Sequence, residues 1–384
     1  MTTQTRVSTT LTAAALTALA VALTGTATAA PADHHATREA VRAAVKDGVP
    51  GVTLTARDTH GRWSTTAGVA DLRTGQPRTP ADRYRVGSVT KTFVATVVLQ
   101  LEAEGRLSLD DPVDRWLPGV VHGNGNDGRA ITLRQLLNHT SGLFDYTNDP
   151  DFLRAHFTAD GFRENRHRAH TPSDLVAVAM RHEPEFTPGG GWTYSNTNYL
   201  LAGMVIEAVT GRPYGDEVHA RIIRPLHLTA TSVPGTRVDV PRPSARAYSK
   251  LAETTTGPTY DVTRFHPSIA GAAGEMISDS ADLNRFYAAL LRGKLLPPAQ
   301  LKAMKATVPV GTATPNVAYG LGIMDRELSC GVHVWGHPGG IYGSLSDAVT
   351  TPDGRHTLAV NFNGDWAGDT AAVVEAEFCP TDGR

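Results

Sequence analysis

The 384-residue sequence predicts an α+β fold, with one antiparallel sheet built from N- and C-terminal segments, flanking helices and an inserted, mainly helical lobe. Alternating apolar residues indicate strands near the start of the chain and in its last third, whereas apolar residues at helical spacing dominate the middle. Strands at both ends with helices between them are typical of this fold class. We predict an α/β lobe at about 40–87 and 295–384, and a helical lobe at about 88–294.

The first segment of the chain predicts a signal peptide. Arg6 precedes a run of small and apolar residues at 11–23, and Ala27-Thr28-Ala29 provides an A-x-A cleavage site. The apolar run is shorter than the roughly 20 residues that a membrane-spanning helix needs. We therefore expect residues 1–29 to be removed, leaving a secreted domain at 30–384 without a membrane span.

Charge and cysteine content narrow the class of partners. The net charge is −2, from 36 basic and 38 acidic residues, and such a balance creates no field that favours nucleic acid. Cys330 and Cys379 are the two cysteines of a chain predicted to be exported, where thiols usually form disulfides. We expect one disulfide between them, with two free buried thiols as the alternative, and a monomer that needs no cofactor.

The predicted elements begin with a hairpin of strands 51–58 and 63–69 around the turn at His60-Gly61. An amphipathic helix at 92–104 follows and ends at Gly105 as a C-cap. The later helical segments are 132–137, 174–180, 198–209, 282–291 and 368–378. The later strands are 320–323, 331–335, 345–350 and 357–362.

The first chemical motif is Ser88-Val89-Thr90-Lys91, which stands directly before the 92–104 helix. Residues three apart lie on one helix face, about 5–6 Å apart at Cβ, so the lysine can reach back to the serine oxygen. This is the arrangement of an amine-activated serine nucleophile. An ordinary helix start, with Ser88 near the N-cap and Lys91 in solvent, is the alternative.

The second motif is Tyr194-Ser195-Asn196, which follows the glycine-rich turn at 188–191. A phenol beside an ammonium group can relay a proton, and an asparagine offers both donors and an acceptor to a substrate amide. A half-buried loop aromatic is the alternative for Tyr194.

The third motif is Gly336-His337-Pro338-Gly339-Gly340, predicted to follow a strand that ends at Trp335. Its glycines let a substrate backbone approach closely. His337 can orient a substrate anion or tune a proton network, because its charge changes near neutral pH. A surface turn histidine is the alternative.

In this order, and with these long gaps, the three motifs resemble those of the serine β-lactamase and DD-peptidase superfamily. The chain is most similar to the secreted actinomycete D-alanyl-D-alanine carboxypeptidases and to class C β-lactamase-like enzymes. The resemblance runs from about residue 40 to 379 and implies a β-lactamase/transpeptidase-like fold. The stretches that carry it are 83–91, 141–149, 194–198 and 328–331.

The resemblance implies catalytic roles for four side chains. Ser88 would be the acylated nucleophile, Lys91 its proton partner and Tyr194 the relay to the leaving group. His337 would lie beside this network. Two routes for the serine proton stay open, namely a neutral Lys91 as base, or a Tyr194 phenolate next to a charged lysine.

The resemblance also implies how substrate would be held. The backbone N–H groups of Ser88 and Gly340 would form the oxyanion hole, and one such donor typically contributes ~3 kcal/mol to the barrier. Asn196 would contact a substrate amide, while Phe152 and Gly339 would line the cleft. No zinc signature such as His-Glu-x-x-His appears in the sequence, and we assign no metal.

The third motif departs from the carboxypeptidase pattern, which is His-Thr-Gly-Thr with a nearby arginine that together hold the terminal carboxylate of the substrate. Pro338 and Gly340 replace the threonines, and Met324 aligns with the arginine. The carboxylate clamp is therefore predicted to be largely missing, unless Arg326 supplies the cation through a register shift of two residues.

Taken together, the motifs predict a secreted serine hydrolase that forms an acyl-enzyme at Ser88. The first expectation is a D-alanyl-D-alanine carboxypeptidase-like peptidase acting on peptidoglycan stem peptides. The alternatives are an esterase or D-amino-acid peptidase or amidase of the same family, then a β-lactamase, and last a non-catalytic penicillin-binding module. Small peptides, esters or β-lactams are the expected ligands, with peptidoglycan as the larger partner.

Overall fold

The structure is a computed structural model that describes residues 1–2, 34–251 and 256–379. The chain divides into two units, Met1–Asp33 and His34–Arg384, and all the elements below belong to the second. The predicted signal peptide at 1–29 lies, apart from its first two residues, outside the described residues. Within the described ranges, no helix is long and apolar enough to cross a membrane.

The strands are short except in the central sheet. They are β1 (Gly51–Arg57), β2 (Arg62–Asp71), β3 (Gln76–Pro77), β4 (Tyr84–Arg85), β5 (His122–Gly123), β6 (Asn126–Asp127), β7 (Tyr248–Ser249), β8 (Tyr260–Asp261), β9 (Ile277–Ser278), β10 (Val308–Pro309), β11 (Val317–Tyr319), β12 (Met324–Glu327), β13 (His333–Ile341), β14 (Ser344–Thr350) and β15 (Thr357–Phe362).

The helices fill the stretch between the two groups of sheet strands and cap both ends of the domain. They are α1 (His35–Lys46), α2 (Thr90–Ala103), α3 (Val113–Trp116), α4 (Leu133–Leu137), α5 (Pro150–Phe157), α6 (Ala159–Asn165), α7 (Pro172–Ala179), α8 (Asn196–Thr210), α9 (Tyr214–Val218), α10 (Ser280–Leu291), α11 (Pro298–Met304) and α12 (Thr370–Phe378). Single 3₁₀ turns lie at Gly87–Val89, Tyr146–Asn148, Pro267–Ile269 and Gly271–Ala273, and a π turn lies at His219–Ile223.

The main sheet of the described chain joins the two ends of the sequence. Its strand order is β10-β11-β12-β13-β14-β15-β1-β2-β3, and every pair is antiparallel. β1 closes against β15, with Leu54 opposite Val360, so an early strand pairs with a late one. This confirms the predicted α+β fold with a sheet drawn from both ends of the chain.

Both faces of the sheet are covered. Helices α1 and α12 pack on one face, where Val41 and Val373 join a buried cluster with Val52 and Leu54. Helix α10 packs on β1, β14 and β15, and the Asn284 side chain donates to the Thr55 carbonyl at 2.7 Å. Although α10 falls in the range predicted for the helical lobe, it belongs with the sheet.

Helix α2 is buried around its whole circumference instead of being amphipathic as predicted. Residues 90–99 and Leu101 are all buried, because α8, α9 and α11 surround the helix. The apolar spacing predicted the helix but not the number of neighbours, which depends on segments far away in the chain. As a result, Lys91 lies inside the core.

Two predicted strands in the last third have different bounds in the structure. Residues 320–323 form the turn between β11 and β12, with Gly322 at a φ of +71° that favours glycine. The strand predicted to end at Trp335 continues to Ile341 as β13, because the ladder with β14 runs from Trp335–Thr350 to Ile341–Ser344. The third motif therefore lies within a strand and not in a loop after it.

The predicted disulfide is present in the structure. Cys330 and Cys379 are bonded, with their Cα atoms 5.8 Å apart. The bond joins the turn between β12 and β13 to the residue that follows α12. It therefore links the strand that carries the third motif to the end of the described chain.

Candidate active site

Ser88 lies in the 3₁₀ turn Gly87–Val89, one turn before α2, and Val89 is the N-cap residue of that helix. The turn is pressed against β13, because a Cβ added to Gly87 would stand 2.7 Å from the Gly340 nitrogen. Gly87 also has a φ of +54°. A glycine is thus required beside the serine for the turn to approach the strand.

Lys91 is fully buried and reaches Ser88, as the spacing predicted. Its Nζ donates to Ser88 Oγ at 3.0 Å, to Asn196 Oδ1 at 2.8 Å and to the Ala273 carbonyl at 2.8 Å. Burial lowers the pKa of Lys91 to about 7, and the Asp145 carboxylate opposes that shift. Near neutral pH a substantial fraction of this amine is uncharged, and an uncharged amine can accept the serine proton.

Asn196, the first residue of α8, is oriented by a carboxylate that belongs to none of the three sequence motifs. Its Nδ2 donates to Asp145 Oδ2 at 2.9 Å, which leaves its Oδ1 to accept from Lys91. Asp145 also accepts from the Thr147 backbone N–H at 3.0 Å and is buried. Asp145 lies in the 141–149 stretch that carries the resemblance, but nothing in that stretch alone indicates a link to the lysine.

Tyr194 lies next to the buried lysine, with Lys91 Nζ 4.8 Å from the centre of the tyrosine ring. Burial raises the pKa of Tyr194 far above its ordinary value, and the nearby Ser88 hydroxyl opposes that shift only in part. The phenol is therefore protonated at neutral pH.

His337 is buried in β13, and is not a surface turn residue. Its Nε2 lies 2.8 Å from the Tyr319 hydroxyl, and its Nδ1 lies 2.5 Å from the Pro338 carbonyl oxygen. Burial, together with the nearby Lys91, lowers the pKa of His337 to about 3. The imidazole is neutral at physiological pH, so it does not serve as a cation for a substrate anion.

The Gly340 backbone faces the turn that carries the nucleophile. A Cβ added to Gly87 would stand 2.7 Å from the Gly340 nitrogen and 2.8 Å from the Gly340 oxygen. N–H groups two residues apart point to the same edge of a strand, so the Pro338 nitrogen points to this edge as well. The β12 ladder ends at Gly336. Pro338 therefore removes no ladder hydrogen bond, which is the condition under which a strand tolerates proline.

Two cavities meet at the nucleophile. The first, which we call the large pocket, has a volume of about 1370 Å³ and includes Phe152, Asn196 and Ile269 in its lining. The second, which we call the small cleft, has a volume of about 360 Å³ and is lined by Tyr194, His337 and Gly339 among others. The residues common to both are Ser88, Gly340 and Leu345. The predicted site residues thus gather around one point.

Arg326 does not replace the missing carboxylate clamp. Its Nη1 and Nη2 donate to the two carboxylate oxygens of Asp347 at 2.8 and 2.7 Å, and Asp347 is buried. Met324 does line the small cleft, at the position where the carboxypeptidase pattern has an arginine. No lysine or arginine is among the described residues that line this cleft.

In this α+β fold a buried lysine is hydrogen-bonded to a serine at the junction of two cavities. This arrangement defines a serine hydrolase site of the acyl-transfer type. The described residues show no group of three His, Cys, Asp or Glu side chains that could hold a metal ion. The Beta-lactamase family model matches residues 37–374, and the chain belongs to that family.

The chain is also similar to individual solved structures and curated proteins. A D-stereospecific amidohydrolase from Streptomyces sp. is 62% identical, with a TM-score of 0.86 over 91% of this chain and 100% of that one. A D-amino acid amidase from Ochrobactrum anthropi SV3 is 29% identical, with a TM-score of 0.77 over 89% of this chain and 97% of that one. Penicillin-binding protein 4* of Bacillus subtilis (strain 168) is 28% identical over 300 residues, which are 76% of this chain and 63% of that protein. The chain thus spans about three fifths of that relative's length.

Proposed function

We propose that this serine hydrolase is a D-stereospecific amidase or peptidase, which was the alternative to the carboxypeptidase expected first from the sequence. The observation that carries the proposal is that no lysine or arginine lies among the described residues lining the small cleft, while the nearby Arg326 is hydrogen-bonded to Asp347. A carboxypeptidase must hold a leaving group that bears a carboxylate, whereas the leaving group of an amide needs no counter-ion. The likeness to a protein named a D-stereospecific amidohydrolase supports the same assignment.

The first chemical step follows from the two perturbed pKa values. Burial lowers the pKa of Lys91 to about 7 and raises that of Tyr194, so the amine and not the phenolate is available as base. Ser88 Oγ attacks the carbonyl carbon while its proton moves to Lys91 Nζ. The C–N bond then breaks, and the leaving nitrogen takes a proton from the Tyr194 hydroxyl, which Lys91 re-protonates.

The negative charge of the tetrahedral intermediate would be held by the Ser88 and Gly340 N–H groups. Water then attacks the acyl-enzyme carbonyl and gives a proton to neutral Lys91, and the Lys91 ammonium returns that proton to Ser88 Oγ as the ester bond breaks. The net reaction consumes one water and releases an acid and an amine. As part of this proposal, the enzyme is secreted and residues 1–29 are removed as a signal peptide.

The proposal is tested by assaying one preparation of the protein with three substrates, namely D-phenylalanine amide, L-phenylalanine amide and a diacetyl-lysyl-D-Ala-D-Ala peptide. We expect turnover of the D-amide, at least about 100-fold less of the L-amide, and little release of D-alanine, since a wrongly placed acyl group misses the near-attack geometry. Preferred release of D-alanine would return the assignment to a carboxypeptidase. Mass spectrometry of a quenched reaction, with the acyl group on Ser88, checks the intermediate.

A further inference from the structure

Three buried rings lie in a row behind the catalytic residues, and the mechanism above assigns none of them a step. His139 Nε2 lies 3.2 Å from the Tyr319 hydroxyl, which lies 2.8 Å from His337 Nε2. His139 and Tyr319 are 0% exposed and His337 is 1% exposed. The His139 ring packs on Tyr194 with 4.3 Å between centroids, so the row touches the catalytic cluster.

The proton of His139 is placed by its neighbours. Its Nδ1 accepts from the Ser195 backbone N–H at 3.2 Å and faces Asn198 Nδ2 at 3.0 Å. Asn198 presents its nitrogen to the ring because its Oδ1 accepts from the Ser141 hydroxyl at 2.6 Å. A backbone N–H only donates, so Nδ1 carries no proton and the neutral ring is protonated on Nε2.

This fixes the direction of every other hydrogen bond in the row. His139 Nε2–H donates to the Tyr319 oxygen, and the Tyr319 O–H is then free to donate to His337 Nε2. The remaining proton of His337 is on Nδ1 and donates to the Pro338 carbonyl at 2.5 Å. The row thus runs in one direction, from the loop after α4 into β13.

We propose that Tyr319 is a positioning residue for acyl transfer, which holds His337 as a neutral imidazole protonated on Nδ1 and so fixes the β13 edge that carries Gly340. This inference rests on the proposed acyl transfer at Ser88. In physical terms, His337 Nε2 always accepts a hydrogen bond. The Tyr319 hydroxyl donates to it, because the Tyr319 oxygen already accepts from His139 Nε2–H.

The surroundings of His337 act in the same direction. The charged groups that face it are Lys91 from α2 and Arg326 from β12, and both lower its pKa. The aromatic neighbours are Tyr194 at 6.3 Å and Tyr319 at 5.6 Å between centroids. Burial raises the pKa of both phenols, so neither is ionised at neutral pH and neither stabilises a histidinium. Lys91 is therefore the group of this cluster that takes up a proton.

The direct test is ¹⁵N NMR of the whole protein with labelled histidine, which distinguishes the two neutral tautomers from the cation. In the wild type we expect His337 to be protonated on Nδ1 and unchanged between about pH 5 and 9, because its pKa lies far below this range. A His337 protonated on Nε2, or one that titrates in this range, overturns the proposal without any measurement of activity.

The variant Tyr319→Phe removes one hydroxyl and leaves the ring in place. We expect an Nε2–H signal of His337 to appear and kcat to fall about tenfold, with KM changed by less than about twofold, as for the loss of one buried hydrogen bond that acts through orientation. Tyr84→Phe is the matched control, because it also loses a buried hydroxyl, which bonds Ser280 Oγ at 2.9 Å away from the row. An unchanged His337 tautomer and unchanged kcat in Tyr319→Phe would contradict the proposal.

The outcomes also separate this inference from the proposed function. If Ser88→Ala retains turnover, the acyl-enzyme proposal fails, while the tautomer of His337 can still be as stated. If the D-amide is cleaved through Ser88 but His337 is protonated on Nε2, only the role of Tyr319 fails. Should Tyr319→Phe not fold, the wild-type spectrum alone decides.

Discussion

The large pocket and the small cleft share Ser88, Gly340 and Leu345 but differ in the rest of their lining. Aromatic and aliphatic side chains such as Phe152 and Ile269 line the large pocket, so burial of apolar surface can select an acyl group there. The small cleft borders the edge of β13, and its described lining residues include no lysine or arginine. This difference predicts that the acyl group, rather than the leaving group, determines the selectivity of the enzyme.

Removing the nucleophile that both cavities share has the largest expected effect. Ser88→Ala should lower kcat more than about 10³-fold, because no covalent intermediate can form. Ser64→Ala is the matched control, since its hydroxyl bonds Thr55 on the sheet at 2.9 Å. Steady-state turnover of a D-amide measures both variants, and retained turnover in Ser88→Ala would show that Ser88 is not the nucleophile.

The pH dependence tests the buried amine between the two cavities. Burial lowers the pKa of Lys91 to about 7, so the neutral base is present above that pH and is lost as pH falls. We expect kcat/KM to rise with pH up to about 7, and to be about 100-fold lower at pH 5, since each unit below the pKa costs about tenfold in neutral base. The substrate for this profile should have no ionisable group. A flat profile from about pH 5 to 9 would refute Lys91 as the base, since the neutral fraction must change across that range.

Substitutions that fill each cavity separately test whether the two cavities hold different parts of the substrate. Ala270 lines the large pocket, where its Cβ would stand 3.3 Å from a Cβ added to Gly274, while Thr370 lines the small cleft. Ala270→Leu should lower kcat/KM about tenfold for aromatic acyl groups but not for acetyl, by loss of space for the ring. Thr370→Leu should instead affect large leaving groups. Equal effects of both variants on an acyl series would show that the two cavities do not divide the substrate.

Adding a cation to the small cleft tests the missing clamp. Met324→Arg should raise kcat/KM for a D-Ala-D-Ala peptide about fivefold, because a partly exposed ion pair with the leaving carboxylate contributes about 1 kcal/mol. Met324→Gln is the control of similar shape without charge. No gain with arginine would mean that the cleft does not receive the leaving group.

Removing the disulfide should have the smallest effect on activity, because it lies away from both cavities. Cys330→Ser should leave kcat/KM within about twofold and lower the free energy of unfolding by up to about 4 kcal/mol, from the entropy of a 49-residue loop. Thermal unfolding with and without reductant measures it. A large loss of activity at unchanged stability would place the disulfide in the site.

The sequence predicted those parts of the site that depend on short spacing. Ser88 and Lys91 are three residues apart at a helix start, and a fixed helical geometry brings them together whatever surrounds them. The sheet of early and late strands was likewise predictable from alternating apolar residues. The roles assigned to Ser88, Lys91, Tyr194, Asn196 and Gly340 stay predictions until the variants are measured.

What the sequence did not predict depends on distant contacts. Asp145 and Tyr319 carry no local motif, and only the folded chain brings them to Asn196 and His337. The charge state of His337 depends on its burial. The glycine-rich sequence around it suggested an exposed loop, so the burial was not predicted. Similarly, the spacing that indicated an amphipathic α2 could not reveal that helices cover all its sides.

Pro338 has a consequence for the design of ligands. An extended inhibitor lying along the open edge of β13 finds a hydrogen-bond donor at Gly340 but none two residues earlier, since proline has no N–H. A carbonyl placed opposite that proline therefore brings a desolvation cost without a partner. Replacing that carbonyl with a methylene, or the peptide unit with an alkene, should cost no affinity here, which gives medicinal chemists a route to peptidomimetics that discriminate this enzyme from relatives with a threonine at the same position.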